Sequence, residues 1–177
     1  IAHPALAEIA NEIFKKMLTP NQINSPKGIE NYKPITQRDL LSPFVEGGKI
    51  TEDGIKANLV IGLSYIEAWL RGIGCVPINY LMEDAATAEV SRSQLYQWVH
   101  HAAKTDKGVT ITPEYTSKLL KEVVEGLAKN AKSGHKFYEA ANYFKDDVTG
   151  KKYHDFLTTL IYDDVTTIER AQPATKL

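Results

Sequence analysis

Apolar residues recur at helical spacing through most of the chain, and the interruptions divide it. Leu6, Ile9, Ile13 and Met17 fall three and four apart in "HPALAEIANEIFKKM", with Pro4 at a first-turn position and Lys15 and Lys16 at the helix's negative end. One short helix with a basic end is predicted there. Residues 18–50 lose the pattern and carry Pro20, Pro26, Pro34 and Pro43 among Asn, Ser and Gly. Proline fixes its own φ and biases the residue before it away from helix, so an extended connector is predicted. A structureless stretch of about 30 residues is long for the inside of a compact domain, which makes it a junction between two.

Regular periodicity resumes at Thr51, an N-cap type followed by Glu52 and Asp53. Ile55, Leu59, Leu63, Ile66 and Leu70 form one stripe that runs out at Gly72 and Gly74. A second helix is predicted over residues 85–103, with Val90, Leu95, Trp98 and Val99 as its larger apolar residues. A third starts at Thr112-Pro113-Glu114 and carries Tyr115, Leu119, Val123 and Leu127. "HKFYEAANYFKDD" and "YHDFLTTLIYDDV" predict two shorter helices separated by Thr149-Gly150, one face holding Phe137, Ala141 and Phe144 and the other Phe156, Leu160 and Ile161. The β-branched residues of the last segment leave a strand as its alternative. The fold class is therefore all-α: about five helices over residues 51–165, preceded by one helix (1–17) and the connector (18–50), and followed by a polar tail (166–177).

Composition adds mainly exclusions. The 21 basic and 22 acidic residues nearly balance, which gives no electrostatic case for nucleic acid or an anionic membrane. The longest apolar run is broken by Gly62, Ser64 and Glu67, short of the roughly 20 residues a membrane helix needs. The single cysteine, Cys75, excludes an internal disulfide, fits a reducing compartment, and is expected to be small, buried and inert. The chain opens on Ile1 without a signal segment, and is expected to be cut from something longer.

No phosphate-cradling glycine loop and no G-x-S-x-G elbow is present. His100 and His101 are adjacent, so they point apart on a helix, and His3, His135 and His154 are isolated. What remains is "LMEDAATAEV". Asp84 is a preferred N-cap type, Glu83 adds negative charge near the positive helix end, and the alanines favour helix. A carboxylate held at a helix start on the surface also has the rigid support and exposure that a catalytic base requires. Against that, the helix dipole favours the ionised acid and weakens it as a base unless the site is desolvated. Spacing does not decide between cap and base.

The run "NYLMEDAATAEVSRSQLYQWV" closely resembles the C-terminal signature of the malate synthase family, in its shorter A type. The resemblance continues through "TPNQ", "GGKITEDGIKANLVIGLSYIEAWLRGIGCVPI" and "DDVTGKKYHDFLTTLIYD". It implies a C-terminal helical plug that docks on a TIM barrel, with residues 1–17 resembling the barrel's last strand-helix unit. It implies condensation of acetyl-CoA with glyoxylate and water to give malate and CoA, in the glyoxylate bypass. By the resemblance Asp84 is the catalytic aspartate and Met82 lines the reacting pocket. Mg2+ and its ligands, the glyoxylate site and most of the acetyl-CoA site would lie in barrel sequence absent here, leaving no metal ligands in this segment and no activity alone. The final Thr-Lys-Leu differs by one methyl group from the Ser-Lys-Leu peroxisomal address. The implied location is the peroxisome or glyoxysome, through an import receptor, or the cytoplasm. The alternative is a free-standing helical protein-interaction domain in which Asp84 only caps a helix.

Overall fold

A computed structural model describes residues 3–17 and 33–167. They divide into two compact units, residues 1–48 and 49–177. In the first, a 3-10 turn (Pro4–Leu6) leads into α1 (Ala7–Met17), which exposes Ile9, Ile13 and Phe14. The stretch expected to be an extended connector contains a short helix, α2 (Gln37–Leu41). Its cause is local: Thr36 accepts from the Asp39 N–H while the Asp39 carboxylate accepts from the Thr36 N–H at 2.8 Å, a reciprocal capping box.

The second unit is the helical body. Its elements are α3 (Glu52–Leu70), a hairpin of β1 (Val76–Ile78) and β2 (Leu81–Glu83), α4 (Ala85–His100), α5 (Pro113–Asn130), α6 (Phe137–Val148), α7 (Leu157–Leu160) and α8 (Tyr162–Thr166). The all-α reading holds, with a two-stranded antiparallel hairpin added. Thr51 and Thr112 cap α3 and α5 as expected, accepting from the N–H groups of Gly54 and Tyr115. The α3 stripe is the centre of the core: Ile55, Leu59, Leu63 and Ile66 are fully buried and Leu70 nearly so. The last predicted helix forms as α7 and α8, helix rather than strand, broken at Ile161. Its buried residues are Leu157 and Ile161, while Phe156, expected on the inner face, is 59% exposed at the N-cap. The tail from residue 168 onward lies outside the described residues.

Two close approaches fix how α3 meets α6. Gly62 is buried against the ring of Phe144, and a Cβ at Gly62 would stand 2.2 Å from Phe144 Cζ. Near the end of α3, the buried Glu67 accepts two hydrogen bonds from Arg71, at 2.7 and 2.9 Å, and one from the Lys136 N–H at 3.2 Å. Burial alone would raise the Glu67 carboxyl; the Arg71 guanidinium and the Lys136 N–H outweigh it and hold it below its ordinary value.

Two outcomes are expected. Replacing Gly62 by alanine overpacks against a ring with no free volume, which costs about 1–3 kcal/mol, against roughly 1 kcal/mol gained from alanine's better helix propensity. Chemical denaturation of Gly62→Ala should therefore show a lower midpoint at unchanged m-value. The lowered carboxyl of Glu67 contributes stability above the ordinary value of 4.5, and that contribution is lost as pH falls through the depressed native value. The stability advantage over Glu67→Gln should be full at neutral pH and shrink below it; an advantage that grew on acidification would contradict the sign.

Candidate functional site

The residue under question stands at a corner of the second unit. The hairpin pairs Val76 with Glu83, Pro77 with Met82 and Ile78 with Leu81, closed by Asn79 and Tyr80. Both turn residues have positive φ, 49° and 64°, the signature of a type I′ turn, whose twist matches that of the flanking strands. Asp84 is the single residue between β2 and α4, so the chain passes from strand to helix with no loop.

Alternation along β2 then sorts the neighbours. Successive side chains of an extended strand point to opposite faces. Glu83 turns inward and is 6% exposed, while Met82 is half-buried and Asp84 exposed. Asp84 keeps extended torsions, φ −128° and ψ −172°, so the alternation carries through it and sets its side chain on the Met82 side. Glu83, read from the sequence as negative charge near the positive helix end, is a buried strand residue.

Asp84 is the N-cap of α4, as its residue type suggested. Its Oδ1 accepts from the Ala86 N–H at 2.9 Å and from the Thr87 N–H at 3.4 Å. Both bonds use Oδ1; among the described residues Oδ2 accepts none. One oxygen therefore anchors the carboxylate to the helix backbone, and the other remains open at an exposed position. Such a group has fixed orientation, an unused lone pair and access from outside.

The surroundings are mixed in polarity. Leu81 and Tyr80 are 61% and 70% exposed beside it. Beneath lies Tyr65 of α3, buried and ring-stacked with Trp69 at 6.3 Å. Burial pushes the Tyr65 phenol up, and the charges of Asp84, Cys75 and Glu89 add to this, which places all three within its electrostatic reach. Cys75 is exposed, not buried as expected, because it lies in the open return between Gly72 and β1. No local sequence signal distinguishes Tyr65 from any other residue of its helix.

The histidines separate as follows. His100 and His101 stay on the surface at the end of α4, with rings edge-to-face at 4.9 Å. His154, isolated in sequence, meets Asp147: its N–H and Nδ1 lie 2.8 and 2.9 Å from the two carboxylate oxygens. Among the described residues no group of three His, Cys, Asp or Glu side chains could hold a metal ion. No helix among them is long and apolar enough to cross a membrane.

Comparison with known proteins bears directly on this corner. A family model for the C-terminal domain of malate synthase matches residues 49–165. A glyoxysomal malate synthase of Candida tropicalis is 64% identical over 178 residues, covering 100% of this chain and 32% of that protein. A malate synthase of Dictyostelium discoideum is 40% identical over 181 residues, and malate synthase A of Escherichia coli 38% over 162, covering 33% and 30% of those proteins. The chain thus spans about a third of the length of the curated relatives it matches.

The cap makes its own prediction. Asparagine caps as well as aspartate and alanine does not, so Asp84→Ala should cost about 1 kcal/mol and Asp84→Asn only a fraction of that. Equal losses in urea denaturation would show that the Oδ1 bonds contribute nothing to stability.

Proposed function

The chain belongs to the malate synthase family, and from that premise we propose that it supplies the carboxylate base for condensing acetyl-CoA with glyoxylate. The carrying observation is the split within Asp84: Oδ1 is held by the α4 backbone while Oδ2 accepts no hydrogen bond among the described residues. In the proposed step Oδ2 takes a proton from the methyl group of acetyl-CoA. The electron pair left behind becomes an enolate of the thioester and attacks the aldehyde carbon of glyoxylate, whose oxygen takes the displaced π pair and one proton, in place of the one removed, to become the malate hydroxyl. Water then cleaves the thioester, releasing CoA and malate. Rigid positioning is what such a base needs, since the methyl group is a weak acid and transfer demands close, aligned approach.

Met82, set by strand alternation on the same side, would form an apolar wall of the pocket. Contact with apolar surface and exclusion of water would offset the helix dipole's preference for the ionised acid. The remainder of the site belongs to the length of the family protein beyond this match, which the resemblance assigns to a TIM barrel over which this unit docks. The family's Mg2+ would be held there, as the resemblance implies. No step above is routed through it. The relatives named glyoxysomal, from Candida tropicalis and Brassica napus, support a peroxisomal or glyoxysomal location. Thr175-Lys176-Leu177, the proposed import-receptor contact, lies outside the described residues.

Asp84→Asn is the discriminating variant because it preserves the cap. This chain, joined to the upstream two-thirds of the Candida tropicalis relative, should lose about 10²–10⁴ in kcat on that change with little change in KM for either substrate. Turnover within about threefold of the parent chimera would reduce Asp84 to a structural cap and favour the interaction-domain alternative. The chain by itself should form no malate.

A further inference from the structure

Eight residues after Asp84 in sequence, on the same helix, lies a charged group that the mechanism does not use. Arg92 is 1% exposed, among the most enclosed side chains of the protein. Its Nη1 donates to Asp147 Oδ1 at 2.8 Å and to the His154 carbonyl at 2.7 Å. Its Nη2 donates to the Asp155 carbonyl at 3.0 Å, and its Nε to Glu89 one turn back. The guanidinium also lies over the Tyr153 ring, 4.4 Å from its centre. Asp147, wholly buried on α6, accepts in addition from the His154 N–H and ring. Glu89 uses its second oxygen to accept from the Leu157 N–H at 2.7 Å.

The bonds run in different directions and end on three separate pieces of chain: α4 itself, the last turn of α6, and residues 154–157. Apolar contacts hold two helices together but let one slide or rotate by a fraction of an ångström at small cost. A planar fork bonded at both ends allows neither, because every such motion breaks a bond to a buried charge. Glu89 and Arg92 are three apart and share a face of α4, five and eight residues after Asp84, or about 7 and 12 Å along a helix. Asp84 is bonded through Oδ1 to this same helix, so its free oxygen moves only as α4 moves.

We infer that the Arg92–Glu89–Asp147 network is the positioning device of the catalytic carboxylate: it sets the rotation and axial register of α4, and through the cap the aim of Asp84 Oδ2. Arg92 and Glu89 touch no substrate and are positioning residues; the inference rests on the proposed role of Asp84. Proton transfer from carbon is sensitive to placement, with misplacement by about 1 Å costing up to two orders of magnitude.

The test uses the chimera with the relative's upstream two-thirds. Arg92→Lys keeps the charge and loses the fork; Glu89→Gln keeps the acceptor for Leu157 and loses the pairing with Arg92 Nε. In cooperatively melting protein, Arg92→Lys should lower kcat about tenfold or more and Glu89→Gln by a smaller factor, each with KM for acetyl-CoA within about twofold. Gly62→Ala, which weakens the core through α3, is the control: at a matched or greater loss of melting temperature its kcat should be unchanged. The inference is overturned if the two network variants keep parental kcat, or if their losses scale with melting temperature along the same line as the control. Should Arg92→Lys fail to fold, the milder Glu89→Gln decides by the same criterion. Asp84→Asn measured alongside separates the two proposals. If it retains turnover the base assignment itself is wrong, and if it alone collapses turnover only the positioning role fails.

Discussion

A guanidinium withdrawn from water is the constraint around which the helical body is arranged. Arg92 cannot shed its charge, and an unpaired buried cation is strongly destabilising, so the surrounding chain must bring acceptors to it. It does so with two carboxylates and two backbone carbonyls. The segment that supplies the carbonyls is exposed at Lys151, Lys152, Tyr153, Asp155 and Phe156, and its other ties lie at the surface, Tyr153 to Ser93 and Tyr96 and Lys151 to Asp146. Yet just beyond it Leu157 and Ile161 must reach the core. Arg92 and Asp147 together hold that segment in place, so that the buried polar cluster delivers part of the apolar one.

The same economy appears at Asp84, where one carboxylate oxygen makes the structural bonds and the other, proposed to act as the base, is left open among the described residues. A base on a loop would be mobile, and a base in mid-helix would have to reach past its neighbours. At the joint of a strand and a helix with no intervening loop, the backbone direction is set from both sides. The strand contributes alternation, which separates the buried Glu83 from the exposed Asp84. The helix contributes the N–H groups that grip one oxygen. Two adjacent acids thereby acquire opposite environments without any difference in their own chemistry.

The sequence carried the helices and the cap, because those depend on neighbours a few residues away. The stripe Ile55, Leu59, Leu63, Ile66 and Leu70 is buried throughout, and Thr51, Thr112 and Asp84 cap where their residue types place them. The hairpin was hidden for two reasons. Its strands are three residues each, and its turn is Asn79-Tyr80 where the recognisable type I′ pair is Asn-Gly. Once that turn is missed, Cys75 is placed inside and nothing separates the buried Glu83 from the exposed Asp84. Of the Arg92 network only the i,i+3 pair with Glu89 is visible in the sequence: the other partners lie 55 to 63 residues away, and no periodicity encodes such a meeting. A buried arginine looks, in sequence, like any polar helix position.

These separate features meet in α6. Glu67, near the end of α3, accepts from the N–H of Lys136 where α6 begins. Arg92, in the middle of α4, donates to Asp147 where α6 ends. Between them Phe144 fills the notch left by Gly62. The hairpin that leads to Asp84 spans the gap from α3 to α4, and both helices meet α6: α3 through the Lys136 N–H on Glu67 and the Phe144 ring, α4 through the Arg92–Asp147 ion pair. The braces differ in kind: a ring in a notch permits tilt, whereas a fork bonded on two sides permits neither slide nor rotation. The ring sets only how closely α3 packs on α6 and so bears on stability; what fixes α4, and with it the corner holding Asp84, is the Arg92 fork on Asp147.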